Sequence, residues 1–62
     1  MKKVNLNLVR IDGNAFAIMG NFRRAALRGG WTNKEIEVVL EEAMSGDYHK
    51  LVYVISSHCE PN

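Results

Sequence analysis

The hydrophobic positions of this chain change period as it proceeds. Val4-Asn5-Leu6-Asn7-Leu8 alternates strictly, so Val4, Leu6 and Leu8 share one face of a half-buried strand, predicted over 4–11. Asp12-Gly13 then signals a turn, since glycine accepts positive φ and aspartate bonds to the nearby backbone. Asn14 follows as a helix N-cap. Across 14–28 the period becomes helical. Ala15, Ile18, Met19, Phe22, Ala25 and Ala26 form one stripe, and Phe16, Gly20 and Leu27 form a second apolar flank beside it. So wide an arc predicts contact with two other elements, with Gly20 admitting a second backbone closely. Gly29-Gly30 ends the helix, one of the pair being left-handed.

The next helix start is the clearest local signal. Thr32 and Glu35 have the spacing of a capping box, and Trp31 and Ile36 have that of a hydrophobic staple. This predicts a helix over 33–45 that turns Ile36, Val39, Leu40 and Ala43 inward and Glu37, Glu41 and Glu42 outward. Ser45-Gly46 closes it, and Asp47 caps a third segment over 48–58. Leu51-Val52-Tyr53-Val54-Ile55 is rich in strand formers, so this segment reads as either strand or helix. The cap and the short connection favour a helix, with Tyr48, Leu51, Val54, Ile55 and His58 on one face. Glu60-Pro61-Asn62 reads as a frayed tail.

The predicted architecture is α+β and mostly α: an N-terminal strand followed by a compact three-helix bundle in one domain of 62 residues. A lone strand leaves ladder groups unsatisfied. Its partner is expected to be either the third segment or the same strand of a second copy, making a homodimer through Val4, Leu6 and Leu8.

Composition and charge narrow the functions. The net charge is +1, which argues against a basic nucleic-acid tail. That figure conceals a split. Residues 1–31 hold Lys2, Lys3, Arg10, Arg23, Arg24 and Arg28 against Asp12, a balance of +5. Residues 32–62 hold Lys34 and Lys50 against six acids, a balance of −4. The halves can attract within one fold, attract across a dimer, or face separate partners. The single cysteine, Cys59, suits a reducing compartment, and no apolar run is long enough to span a bilayer. The expectation is a complete, soluble, cytoplasmic gene product with no membrane partner.

Candidate chemistry is sparse. His49 and His58 are nine residues apart, a spacing that sets them on opposite helix faces, and Cys-x-x-Cys and His-x-x-x-His pairs are absent. Nothing orients an imidazole toward Cys59, and the glutamates read as a wet helix face. The chain is therefore expected not to be an enzyme and to use no metal or cofactor. Two binding classes stay open. Trp31, expected to be partly exposed at its loop, could join Val52 and Tyr53 in a protein interface. Alternatively Arg23, Arg24 and Arg28 could meet nucleic-acid phosphates.

Asp12-Gly13-Asn14-Ala15-Phe16, Gly30-Trp31-Thr32 with Glu35-Ile36, and Ser45-Gly46-Asp47-Tyr48 with Leu51 resemble a family of short uncharacterised bacterial and phage-borne proteins. The likeness covers most of the chain, implies a helical third segment and a phage or mobile-element setting, and brings no activity. Residues 15–58 also resemble the ubiquitin-associated class of three-helix domains. Gly30-Trp31 stands at that class's Gly-aromatic loop, with Gly29 where a Met is usual, and Leu51, Val54 and Ile55 stand at its third-helix core. That resemblance implies protein binding through the loop and third helix; ubiquitin binding is not inferred, and the added strand departs from the class.

Overall fold

The computed structural model describes residues 3–8 and 12–60. Their order is β1 (Val4–Asn5), α1 (Ala15–Arg28), α2 (Asn33–Ala43), α3 (Tyr48–Ser57) and β2 (Cys59–Glu60). The three helices enclose one core made by Ile18, Phe22, Ala26, Trp31, Ile36, Val39, Leu40, Ala43, Leu51, Val54 and Ile55, closed by Val4 from β1.

Each helix starts where its capping chemistry puts it. Asn14 Oδ1 accepts from Phe16 N–H at 2.8 Å, and Asp12 Oδ1 in turn accepts from Asn14 N–H at 2.9 Å. The box at α2 is complete: Glu35 N–H donates to Thr32 Oγ1 at 3.1 Å and Thr32 N–H donates to Glu35 Oε1 at 2.8 Å. Asp47 Oδ1 accepts from Lys50 N–H at 2.9 Å. That cap and the bonds behind it make the third segment a helix, with Leu51, Val54 and Ile55 buried. Its start is also tied to the turn before α1, because the Tyr48 hydroxyl donates to Gly13 O.

The end of α1 is a Schellman motif. Gly30 takes φ 90°, its N–H donates to Leu27 O at 3.2 Å, and Trp31 N–H donates to Ala26 O at 3.0 Å. Glycine is needed at position 30 because a Cβ at that φ meets its own backbone. The motif reverses the chain and delivers Trp31 into the core beside Ala26.

Three expectations need correcting. The strand predicted over 4–11 is regular only at Val4–Asn5; Val9 to Ile11 lie outside the described residues. Its partner within the chain is not the third segment. Cys59–Glu60, read as part of or next to a frayed tail, pairs with it in parallel, Val4 against Cys59 and Asn5 against Glu60. Val4 N–H also donates to His58 O at 2.7 Å. The alternation itself holds: Val4 is fully buried, and Leu6 and Leu8 pack partly on the core. The helices are also shorter at their ends than 14–28, 33–45 and 48–58, because Asn14, Met44 and His58 serve as caps.

Candidate interaction surface

The predicted interface residues separate. Trp31 is 7% exposed, a core residue rather than a loop anchor. Its ring meets Phe22 edge-on at 5.6 Å and His58 edge-on at 5.8 Å, and its Nε1 is buried without a hydrogen-bond partner. The Schellman turn explains the burial, since it points the residue after Gly30 inward. Val52 is half-buried against the core, and Tyr53 stands 72% exposed on α3. Sequence position places Val52 and Tyr53 together, but Trp31 belongs to the interior.

A different cluster comes together at the other end of the bundle. Ala15, Phe16 and Met19 of α1, Ala43 and Met44 at the end of α2, and Tyr48 and Leu51 of α3 line one cleft of about 320 Å³. Phe16 is 81% exposed and Met44 59%, and Tyr48 is half exposed. Asp47 is the one charged side chain in that lining. The signal for Phe16 was present in the sequence as the second flank of α1. That flank predicted cover by another element, and within the chain Phe16 and Leu27 instead face outward. Nor does a second backbone approach Gly20: a Cβ there would meet only the Arg24 guanidinium, at 4.0 Å. Val38 on α2 is likewise exposed.

At about 100° per residue, Arg23 and Arg24 lie on the side of Phe16 and Leu27, and Arg28 is turned from it toward β1. Arg24 and Arg28 are exposed and Arg23 is half-buried. Arg24 Nη2 donates to the amide oxygen of Asn21 at 3.4 Å, a weak contact with a neutral group. Among the described residues, no ion pair joins these arginines to Glu37, Glu41 or Glu42 of α2. Arg28 and Lys3 also line a second cleft of about 300 Å³ with Asn5, Ala25 and Gly29. The Lys3 ammonium donates to Ser57 O at 2.7 Å, where it satisfies a carbonyl at the negative end of α3.

The remaining reactive groups do not converge. Cys59 is half-buried in β2; burial pushes its thiol above the ordinary value, and the Lys3 ammonium pulls against that. Among the described residues, no three metal-ligating side chains come together and no helix is long and apolar enough to cross a membrane. In comparisons with known proteins, no family model, curated protein or solved structure matches this chain.

Proposed function

We propose that this chain is a small non-catalytic interaction module whose working surface is the outward side of α1 and α2, including the cleft they form with the start of α3. The observation that carries the reading is the exposure of Phe16 and Met44 on one cleft, next to Tyr48. Exposed large apolar groups gathered at a concave site mark contact surfaces more often than the same groups scattered singly. The partner is a protein surface that offers apolar side chains, since the cleft is apolar and carries Asp47 in its lining.

The test is retention from an extract of the native cell, with the immobilised chain compared against Phe16→Ser with Met44→Ser. The original chain retains a protein that the double variant loses, while circular dichroism of the two is the same. Equal retention by both chains overturns the reading.

A second reading has a specific observation behind it. Lys3 and Arg28 line one cleft, and among the described residues no carboxylate shares its lining. Two cations beside an unopposed cleft suit a phosphate, so a nucleic acid could follow this edge of α1 through Arg23, Arg24 and Arg28. Binding to DNA or RNA at low salt would fall steeply with added salt and with Arg24→Ala plus Arg28→Ala. No binding at low salt removes this reading.

A further inference from the structure

The charge split of the sequence has a spatial form in the fold. The first turn of α1 and the last residues of α2 line one cleft, so the start of one helix lies beside the end of the other. The short link after Arg28 joins the opposite ends. The two helices therefore run antiparallel, and their charges collect by end. Arg23, Arg24 and Arg28 in the second half of α1, with Lys34 at the start of α2, outnumber Glu35 and Glu37 in the first half of α2 by four to two. At the cleft end, Asp47 in the lining and Asp12, Glu41 and Glu42, close to lining residues in sequence, outnumber Lys50 beside Gly46. At 1.5 Å per residue, α1 separates its two ends by about 20 Å.

The outward face between those ends is apolar as well as charged. At 100° per residue, Phe16, Gly20, Arg23, Arg24 and Leu27 lie within about 60° of one line on α1, opposite Ile18 and Phe22. Phe16 and Leu27 are each second from an end of the helix, so they sit at equal distances from its midpoint. A twofold axis across that midpoint turns the helix end for end. It brings Phe16 of one copy over Leu27 of the other, and the arginine end of each over the glutamate end of the other. A self-complementary arrangement of this kind is what an isologous interface requires.

We infer that the partner of this surface is a second copy of the chain, docked antiparallel through the outward face of α1 and α2, with the arginine end of each copy against the glutamate end of the other. This rests on the interaction-module reading and names its occupant. Among the described residues, no hydrogen bond or ion pair ties Arg23, Arg24 or Arg28 to Glu41 or Glu42, and Arg24 donates to the neutral amide of Asn21 instead. Gly20 supplies a position on the contact face with no side chain of its own, where a Cβ would touch only the Arg24 guanidinium, at 4.0 Å. Charges that pair at an interface set register and steer encounter, so the association is salt-sensitive.

Sedimentation equilibrium of the full chain tests this, at concentrations up to several hundred micromolar, in low and high salt. The expected result is a species of twice the 7.0 kDa monomer mass at low salt, weakened by high salt. Arg24→Glu with Arg28→Glu weakens self-association about tenfold or more, as does Glu41→Lys with Glu42→Lys. All four positions are at the surface, and circular dichroism checks that each variant remains helical. Mixing the two variants restores a dimer containing one of each, because every reversed end then meets its opposite. A monomer at all concentrations overturns the proposal, as does a dimer indifferent to both reversals or a mixture that stays monomeric. A monomer that still retains another protein through Phe16 and Met44 overturns the second copy while sustaining the interaction module.

Discussion

Both faces of α1 carry large apolar side chains, and these meet opposite fates. Ile18, Phe22 and Ala26 are buried and hold the bundle together, whereas Phe16 and Leu27, separated from them by helical rotation alone, face outward. Period sorts residues into faces, but it does not say how many faces the rest of the chain can cover. With 62 residues there are two further helices and a two-residue ladder to do the covering, and they enclose one side of α1. The uncovered face carries Phe16, which lines the cleft with Met44 and Tyr48, and that is why the functional reading is placed there.

The largest effect that separates the two faces is truncation of their phenylalanines. Phe22→Ala opens a cavity in the core and costs about 3–5 kcal/mol, enough to unfold most of a domain this small. Phe16→Ala changes monomer stability by less than about 0.5 kcal/mol. Urea denaturation of the two variants makes the contrast, and comparable losses would mean that Phe16 is covered within the chain. Next comes the turn that sends Trp31 inward. Gly30→Ala places a side chain at φ 90° and costs about 1–2 kcal/mol in the same experiment; Gly29→Ala, at φ −84°, costs less.

A smaller change has the opposite sign. Gly20 lies inside a helix, and a Cβ there makes only an ordinary contact with the Arg24 guanidinium, so Gly20→Ala stabilises the monomer by about 0.5–1 kcal/mol at dilute concentration. If the outward face is the dimer contact, the same substitution weakens association at high concentration, which sets the two faces of the helix against each other in one variant.

The smallest effect tests the ladder rather than the helix. Burial, opposed by Lys3, raises the Cys59 thiol in the folded chain. In the window between the unfolded and the folded pKa, the unfolded chain binds fewer protons than the folded one. This contribution to stability is therefore complete below the unfolded value and is lost as pH rises through the folded one. Alkylation of Cys59 near pH 8 is expected to be slower in the folded chain than in urea, with equal rates counting against a half-buried β2.

Much of the fold was legible because its signals are local. Asn14, Thr32 with Glu35, and Asp47 each satisfy amides within three residues, so the sequence contains both members of every contact. The same holds for the alternation at Val4, Leu6 and Leu8. The pairing of β1 with Cys59–Glu60 was not legible, because two residues are too few to show a period of two and their partners lie at the other end of the chain. Trp31 was misplaced for a related reason. Glycines beside an aromatic residue suggest an exposed loop, and only the hydrogen bonds back to Ala26 and Leu27 turn that residue into the core.

The sequence by itself determined where the three helices begin, which stripe of each is apolar, and that basic and acidic residues occupy different halves of the chain. Those properties depend on residues close in sequence and on a fixed helical repeat. Tertiary structure decided that the chain ends pair with each other, that Trp31 is interior, and that Phe16, Met44 and Tyr48 meet at one cleft. It also turned a split along the chain into opposite ends of one antiparallel helix pair. Such outcomes depend on which distant surfaces bury each other, and burial is a property of the assembled core rather than of any local run of residues.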